Sequence, residues 1–306
     1  MGKQALGFDF GTSNCTVSIF DSDKGVVETL PISNYSDSKK RSLANQSLFP
    51  SKVGLNGDFE FLFGDDTKNC ERDFVWDNSK RLLEHNTPIY RAGGYKKPIW
   101  VAIGIMAGIF KELKNLSIKT SSPMVITVPA NSYSTQRSLT RLAAESFNFN
   151  VDQLVSEPCA AALGCYTHIK NLKHILIVDV GGGTTDIALI ENDFGTLKEI
   201  AIEGLKRFGG INIDQKLYET YKEEFELSTD SEKLLFRDLL EDVKIELSSK
   251  KKSKLIFNEK VVEITREDVE KLIRIDIDSL DETIDKVLKK GKVELKNVEA
   301  VLPIGG

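Results

Sequence analysis

The chain has 306 residues, of which 41% are hydrophobic and 28% are charged, and its formal net charge is −5. This length is sufficient for two domains or for one large domain with two lobes, and the composition is ordinary for a folded globular protein. The acidic balance argues against a nucleic-acid-binding protein, which normally has a basic face, and no apolar run approaches the length of a membrane span.

The N-terminal residues and the cysteines predict a cytoplasmic protein. The chain enters a predicted strand almost at once and shows no signal-peptide pattern. Cys15, Cys70, Cys159 and Cys165 are scattered without metal-ligand spacing, so we expect free thiols in a reducing compartment. The lysine run at 250–252 is interpreted as a solvated turn rather than a binding patch.

The first half of the chain mixes strand and helix patterns. The β-rich runs ALGFDFG, CTVSIFD and GVVETLPI come first. Residues from about 34 to 98 are polar and contain several glycines, which predicts an insertion subdomain with short strands. A helix is predicted from about 99 to 116, then the strand PMVITVP and a helix from Ser134 to Phe147 with Ser134 as its N-cap. EPCAAALGCY predicts a further helix with Pro158 in its first turn.

The second half begins again with strand patterns, HILIVDV, TTDIALIE and LKEIAIEG. Helices are predicted at roughly 210–225 and 231–248, followed by a β pair, a helix capped by Thr265 and an amphipathic helix from 276 to 291. Strands that alternate with helices in this way predict an α/β protein with mixed sheets. The apolar run at 298–304 predicts a buried strand that ends on a glycine pair.

Two segments of the chain repeat one pattern. FDFGTSNCTVSIF, which begins at Phe8, and VDVGGGTTDIALI, which begins at Val178, align without gaps. Each contains an apolar strand that ends in aspartate, a turn rich in glycine and hydroxyl residues, and a second alternating strand. A single repeat at this long spacing predicts two related lobes rather than a solenoid.

The composition of each turn suits phosphate binding. Glycines permit positive φ and remove Cβ atoms, so successive backbone N–H groups can converge on an anion. Additional hydroxyl donors are expected from Thr12, Ser13, Thr184 and Thr185. Asp9 and Asp179 would repel a phosphate unless a divalent cation lay between them, and Mg²⁺ is typically held by one or two carboxylates, water and phosphate. We therefore expect two facing hairpins that hold a metal–polyphosphate. Neither a Walker loop nor the dinucleotide-binding glycine pattern occurs.

The two turns resemble the phosphate loops of the actin-like ATPase superfamily. Other stretches resemble, in order, the nucleotide-binding domain of DnaK-type (70-kDa heat-shock) chaperones. These are SKRLLEH (79–85), VITVPANSYSTQRSLTRLAAES (125–146), VSEPCAAALGCY (155–166), VDVGGGTTDIAL (178–189) and FGGINID (208–214). The resemblance covers the chain from about residue 5 onward. It implies an α/β, actin-like fold of the duplicated ribonuclease H-like type, with mixed sheets flanked by helices in two lobes around a nucleotide cleft.

The resemblance also implies a domain organisation. Lobe I would comprise residues 1–170, including the insertion subdomain at about 34–98. Lobe II would comprise residues 171–306 and be incomplete at its C-terminal side. Its core would be 171–209 and 292–306, around an insertion subdomain at about 210–291.

Three catalytic residues follow from the resemblance. Lys80 matches the family's lysine that steers the attacking water and stabilises charge at the γ-phosphate. Glu157 matches the carboxylate that, with Asp9 and Asp179, holds the water shell of Mg²⁺. Asp186 matches a second acidic residue near metal and water. Without the resemblance, Lys80 is only a lysine at a helix start, and Glu157 is a first-turn glutamate that favours the helix dipole.

The resemblance assigns further positions to nucleotide binding and signalling. The nucleotide-binding residues up to position 210 would be Gly11, Thr12, Ser13, Asn14, Gly181, Gly182, Gly183, Thr184, Gly209 and Gly210. The remaining ones would be Glu241, Lys244, Ser248, Gly305 and Gly306. Pro129 and Arg137 match the proline switch and the arginine that relay nucleotide state to the substrate domain. From the sequence alone, Pro129 ends a strand and Arg137 lies on a helix surface.

The chain departs from the family pattern in two places. Ile211 and Asn212 stand where two acidic residues usually follow the glycine pair. Ile245 stands where an arginine stacks on adenine, which removes a cation–π contact of about 0.5–2 kcal/mol. In the family, a helix after the final Gly-Gly pair completes the adenosine pocket. We therefore expect a chain truncated within its nucleotide site, with weak base binding.

The expected function is that of an ATP-binding and ATP-hydrolysing domain of a DnaK-type chaperone, which controls a client-binding domain. Its cofactors would be ATP or ADP and Mg²⁺, with K⁺ as a further candidate. Its partners would be client proteins, a J-domain co-chaperone and a nucleotide-exchange factor, with no nucleic acid and no membrane. The alternatives are an actin-like filament-forming ATPase and a nucleotide-sensing module that has lost hydrolysis. A sugar kinase is a weaker alternative, because no separate sugar-pocket motif is recognisable.

Overall fold

The structure is a computed structural model that describes residues 4–33, 47–91 and 94–305. Part of the predicted insertion subdomain at 34–98, and Gly306, lie outside the described residues. The chain forms two compact units, residues 1–160 and 161–306. Each unit has hydrophobic clusters of its own.

The first unit is built on a mixed six-stranded sheet. Its elements are β1 (Gln4–Phe10), β2 (Asn14–Asp21), β3 (Val26–Thr29), β4 (Phe49–Pro50), β5 (Val53–Leu55), β6 (Phe61–Phe63), β7 (Val75–Trp76), α1 (Ser79–Leu82), β8 (Ile89–Arg91), β9 (Gly94–Lys96), α2 (Pro98–Asn115), β10 (Pro123–Val128), α3 (Ser134–Glu145) and β11 (Asn150–Ser156). The strand order is β11–β10–β1–β2–β3, and β4 pairs with β2. β1 is antiparallel to β2 and parallel to β10. Two smaller sheets, β6–β5–β7 and β8–β9, belong to the segment predicted as an insertion.

Alternation along β1 explains how this sheet is covered. Leu6, Phe8 and Phe10 are buried, whereas Asp9 between the last two is exposed. The buried face belongs to one cluster with apolar residues of α2, including Ile105 and Met106. The strand therefore buries every second residue and carries the aspartate on its opposite face.

The second unit is built on a four-stranded sheet in the order β14–β13–β12–β17. Its elements are α5 (Tyr166–Ile169), β12 (His174–Val180), β13 (Thr185–Asp193), β14 (Thr196–Leu205), α6 (Gly210–Tyr221), α7 (Asp230–Ser249), β15 (Lys252–Phe257), β16 (Lys260–Thr265), α8 (Arg266–Leu272), α9 (Arg274–Gly291) and β17 (Ala300–Gly305). α4 (Glu157–Gly164) joins the sequences of the two units. α9 packs on the sheet, and α6, α7, α8, β15 and β16 enclose a separate apolar cluster.

Most predicted elements are present. Of the two predicted helix N-caps, Thr265 is confirmed and Ser134 is not. Thr265 caps α8 as predicted. Its hydroxyl oxygen accepts a hydrogen bond from the N–H of Asp268, and the Asp268 carboxylate accepts one from the N–H of Thr265. The prediction of Ser134 as an N-cap is wrong. α3 begins at Ser134 itself, and Tyr133 occupies the cap position without a side-chain hydrogen bond. α3 also ends earlier than predicted, at Glu145.

The terminal strand is less buried than its composition predicts. The sequence 298–304 indicates a buried strand, but β17 alternates half-buried and exposed residues, and Val301 is 54% exposed. β17 pairs only with β12 among the described strands. An edge strand has fewer neighbours, so apolar composition alone overestimates its burial. Among the described helices, none has the length and apolar character needed to cross a membrane.

Candidate functional site

The first repeated motif forms a tight hairpin turn in the first unit, here called turn 1 (Gly11–Ser13). A Cβ atom on Gly11 would lie 1.9 Å from the carbonyl oxygen of Asn14, so only glycine fits there. The N–H groups of Thr12 and Ser13 donate no hydrogen bond to any described residue. Two adjacent unpaired N–H groups in a glycine turn form a concavity suited to an anion.

Ser51, between β4 and β5, holds turn 1 in place. Its side-chain Oγ donates to the carbonyl oxygen of Gly11 at 2.8 Å, and its backbone N–H donates to the carbonyl oxygen of Ser13 at 2.8 Å. Ser51 is 1% exposed. Its Oγ also lies 3.3 Å from Sγ of Cys15, whose pKa is raised to about 12 by burial. The sequence contained no signal for Ser51, because it is one serine in a polar segment.

An acidic and basic cluster lies in the same unit. Nζ of Lys80 is 2.5 Å from Oε1 of Glu157, and Lys80 is 6% exposed. Burial lowers the pKa of Lys80, but the carboxylates of Glu157 and Asp9 outweigh it, so the net pKa is raised and the ammonium stays charged. Thr127 donates its hydroxyl to Oδ1 of Asp9 at 2.6 Å, and Nε2 of Gln136 donates to the Lys80 carbonyl oxygen at 3.1 Å.

A buried ion-pair network positions the segment that carries Lys80. Asp77 accepts Nη2 of Arg72 on one carboxylate oxygen and Nη2 of Arg91 on the other, both at 2.9 Å. Burial opposes ionisation of Asp77, but the two guanidinium groups prevail and lower its pKa. Asn78 then adopts the left-handed conformation, with φ of 57°, and α1 starts immediately after it. The segment that carries Lys80 is therefore fixed by the Asp77 ion pairs as well as by the ion pair of Lys80 itself.

The second repeated motif forms turn 2 (Gly181–Thr184) between β12 and β13. Its closing pair is Val180 and Thr185, and the corresponding pair at turn 1 is Phe10 and Cys15. These pairs occupy matching positions in the gapless alignment of the two motifs. The two hairpins consequently have the same strand register, as the repeat predicts.

Turn 2 presents two carboxylates and two unpaired N–H groups in the second unit. Asp179 and Asp186 are cross-strand neighbours, and Asp186 is 8% exposed. The N–H groups of Gly182 and Gly183 donate to no acceptor in the described part of the chain. Thr185 differs from the prediction: its hydroxyl is fully buried and donates to the carbonyl oxygen of Phe208 at 3.0 Å, so it is not directed to a phosphate.

The first turn of α6 contacts turn 2 through the backbone. The N–H of Gly210 donates to the carbonyl oxygen of Gly181 at 3.0 Å, and that of Ile211 donates to the carbonyl oxygen of Gly182 at 2.7 Å. A Cβ atom on Gly209 would lie 2.7 Å from the Gly181 oxygen. Gly209 is thus required for close approach of the helix, and the Gly210 N–H is already bonded within the protein.

Lys244 of α7 reaches back to α6. Its Nζ lies 2.7 Å from the carboxylate of Asp214 and 3.2 Å from the carbonyl oxygen of Gly210. Burial raises the pKa of Asp214 to about 6, against the opposing effect of Lys244. The ion pair therefore ties α7 to the helix that supports turn 2.

The other residues predicted on the adenosine side are placed as follows. On α7, Glu241 is half-buried, and Ser248 and Ile245 are exposed. At the end of β17, Gly305 pairs with Val180 next to turn 2 and has φ of +99°. A Cβ atom on Gly305 would lie 2.0 Å from the Val180 oxygen, so this position also requires glycine.

The two predicted signalling residues are in the first unit. Pro129 directly follows β10, and its carbonyl oxygen accepts the N–H of Ser132 at 3.0 Å. Arg137 is half-buried on α3. Their interdomain role stays a prediction.

The predicted Mg²⁺ ligands suit contact through water. Within residues 4–33, 47–91 and 94–305, no three His, Cys, Asp or Glu side chains form a direct metal-binding cluster. Asp9 is exposed next to the unpaired N–H groups of turn 1, and Glu157 is engaged by Lys80. An exposed carboxylate beside unpaired N–H groups fits a hydrated Mg²⁺ carried by phosphate.

The chain is similar to curated chaperones. It is 26% identical to Chaperone protein DnaK of Mycoplasmopsis agalactiae, over 100% of this chain and 53% of that protein. It is 28% identical to Chaperone protein DnaK of Ureaplasma urealyticum, over 98% of this chain and 52% of that protein. It is 30% identical to Chaperone protein HscA of Buchnera aphidicola, over 67% of this chain and 42% of that protein. The chain thus spans about half the length of these two DnaK proteins.

The family described as Hsp70 protein matches residues 96–306. The matched region includes Glu157, turn 2, the first turn of α6 and the Lys244–Asp214 ion pair. The observed strands and helices form a mixed α/β architecture with several sheets flanked by helices. The chain belongs to the Hsp70 family and has the actin-like ATPase fold of that family.

Proposed function

We propose that the chain binds and hydrolyses Mg-ATP as the nucleotide-binding domain of a DnaK-type chaperone. The observation that carries this proposal is the buried Lys80–Glu157 ion pair, with Asp9 close enough to raise the pKa of the same lysine. A buried ammonium held between carboxylates, beside a turn with unpaired N–H groups, supplies positioning and charge stabilisation. These are the main requirements of phosphoryl transfer to water.

The chain's own residues divide this task. The ammonium of Lys80 has three donors, of which one is directed to Glu157, so the others can orient a water or stabilise phosphate charge. Thr127 orients the Asp9 carboxylate by its hydroxyl. Bound Mg²⁺ would supply neutralisation of phosphate charge, and Asp9, Glu157 and Asp179 would hold it through water. Asp186 would be a second acidic residue near the metal and the attacking water.

The wider biological role is also part of the proposal. The relatives are named chaperone proteins. We propose that nucleotide state in this chain controls a client-binding domain, with a J-domain co-chaperone and a nucleotide-exchange factor as partners. The four free cysteines are compatible with a cytoplasmic protein. The exposed Ile245 in place of a stacking arginine supports weaker base binding than the family pattern implies.

A single-turnover ATPase assay with Mg²⁺ tests the catalytic assignment. We expect Lys80→Ala to lower the rate by about 100-fold, because it removes a preorganised positive charge from the reacting phosphate. Lys254→Ala is the matched control, since Lys254 is an exposed lysine on β15, and it should react at the wild-type rate. Equal rates for wild type and Lys80→Ala would overturn the assignment.

Light scattering separates the chaperone proposal from the filament alternative. A chaperone domain should show no ATP-dependent rise in scattering as protein concentration increases. A concentration-dependent rise with ATP would favour an actin-like filament protein instead.

A further inference from the structure

We propose that Ser51 is a positioning residue for turn 1: it fixes the Gly11–Thr12 and Ser13–Asn14 peptide groups so that the N–H groups of Thr12 and Asn14 face a phosphate. The inference rests on the proposed nucleotide-binding function, which it deepens by adding a residue outside the repeated motif. Ser51 itself would not touch the nucleotide. It acts only through Gly11 and Ser13, whose carbonyl oxygens it binds.

The argument follows from the planarity of the peptide bond. In a trans peptide the C=O and the following N–H point in opposite directions. Ser51 binds the carbonyl oxygens of Gly11 and Ser13, so these two oxygens point towards it. The N–H groups of the same two peptides, which belong to Thr12 and Asn14, must therefore point away from Ser51. Fixing two oxygens on one side of the turn thus orients donors on the other side.

Of the two hydrogen bonds from Ser51, only the one from its hydroxyl can be removed by truncating its side chain. The backbone N–H of Ser51 would bond Ser13 with almost any side chain present, but only the hydroxyl reaches Gly11. The residue is 1% exposed, so water cannot easily replace the lost donor. Without Oγ, the Gly11–Thr12 peptide loses its fixed orientation. Gly11 also has no Cβ to restrict its rotation, which makes the external bond more important.

Turn 2 gives independent support for this interpretation. Two of its carbonyl oxygens, on Gly181 and Gly182, are also bound from outside the hairpin, by the N–H groups of Gly210 and Ile211. The repeated turns therefore share the same feature, two carbonyl oxygens held by a neighbouring segment, although the neighbours are unrelated. At each turn one of these oxygens belongs to the first glycine, Gly11 or Gly181, and these two glycines occupy matching positions in the repeat.

The test compares Ser51→Ala with Ser253→Ala in the full chain. Ser253 is a matched control because it is also buried, at 6% exposure, and its hydroxyl donates one bond, to Glu246 at 2.8 Å. Calorimetry would measure Mg-ATP affinity, thermal unfolding would measure stability, and ¹⁵N NMR would follow the Thr12 and Asn14 amides. We expect both variants to lose similar stability. Only Ser51→Ala should weaken Mg-ATP binding, by about tenfold. In the wild type, Mg-ATP should shift the Thr12 and Asn14 amide resonances, and Ser51→Ala should lose this shift.

Each outcome decides between the inference and its alternatives. Equal Mg-ATP affinity in the two variants would overturn the role of Ser51 and leave the proposed function standing. Unshifted Thr12 and Asn14 amides in a wild-type chain that binds Mg-ATP would overturn it in the same way. A wild-type chain that binds no Mg-ATP would overturn both. If Ser51→Ala does not fold, Ser51→Cys keeps the size and a weak donor, and it should show a smaller loss of affinity in the same titration.

Discussion

Turn 1 and turn 2 have the same strand register but are held by different neighbours. Turn 1 is held by Ser51, through one side-chain and one backbone bond. Turn 2 is held by the first turn of α6, through backbone bonds alone. The comparison shows that carbonyl oxygens of both turns are bound by a neighbouring segment, and that the repeated sequence does not dictate which segment binds them.

The two turns also differ in how far the segments that hold them depend on pH. The groups that hold turn 1 are neutral, since Ser51 does not titrate and burial raises the pKa of Cys15 to about 12. Turn 2 depends on α6, which is tied to α7 by the ion pair between Lys244 and Asp214. Acidic conditions should therefore alter the support of turn 2 and leave that of turn 1 unchanged.

Alanine at the first glycine of each turn gives the largest expected difference. Gly11→Ala should lower the free energy of unfolding by about 4 kcal/mol, because its Cβ would lie 1.9 Å from the Asn14 oxygen and the turn must rearrange. Gly181→Ala should cost no more than about 1 kcal/mol, because its Cβ would lie 3.3 Å from the Thr184 oxygen. Urea unfolding followed by circular dichroism measures both, and equal losses would show that the turns are equally constrained.

The pH dependence of stability tests the ion pair behind turn 2. Burial raises the pKa of Asp214 from 3.8 to about 6, so the folded chain binds this proton more tightly than the unfolded chain. The stability that this proton provides is complete below pH 3.8 and is lost as pH rises through about 6. Relative to Asp214→Asn, the wild type should therefore lose up to about 3 kcal/mol across this interval.

Chemical unfolding at several pH values between 4 and 7 measures this difference. The charged neighbours of Asp214 are Lys244, Glu241 and Arg237, and all three are retained in both proteins. Subtracting the Asp214→Asn curve removes the contribution of the other carboxylates. Parallel curves for the two proteins would show that Asp214 does not titrate in this interval.

The smallest expected effect is on binding of the nucleotide base, at Ile245 next to the lysine that ties α7 to α6. Ile245 follows Lys244 on α7 and is 58% exposed. Ile245→Arg should tighten Mg-ADP binding by about three- to tenfold, because it restores a cation that can stack on adenine. Ile256→Arg, at an isoleucine that is 57% exposed on β15, adds the same charge elsewhere. Calorimetric titration that shows equal tightening in both variants would indicate a general charge effect and contradict adenine stacking.

Patterns local to the sequence predicted much of the fold and part of the site. The gapless repeat predicted both hairpins and the equivalent positions of Asp9 and Asp179, because alternating apolar residues and glycine turns specify register over short distances. Thr265 was predicted as a cap because its partner Asp268 lies three residues away. The Hsp70 resemblance was confirmed, and it selected Lys80, which has no local signature of its own.

Features that depend on distant residues were missed or wrong. Thr185 was predicted to donate to phosphate because it is a hydroxyl residue in the glycine turn. Its hydroxyl instead donates to the carbonyl oxygen of Phe208, which follows β14. The adenosine contact of Lys244 stays a prediction, but its bond to Asp214, thirty positions earlier in the chain, was missed. The apolar composition of β17 predicted burial, but its place at a sheet edge leaves Val301 exposed. Each of these outcomes depends on which segments become neighbours after folding.

The sequence by itself determined the two glycine turns, the strand alternation that buries Phe8 and Phe10 while exposing Asp9, and the family to which the chain belongs. These properties depend on residue type and short spacing, which the linear order contains. Only the tertiary structure decided that Ser51 supports turn 1, that α6 supports turn 2, and that Lys80 pairs with Glu157. The reason is physical: directional hydrogen bonds and ion pairs between distant residues exist only once the chain has brought their atoms within about 3 Å.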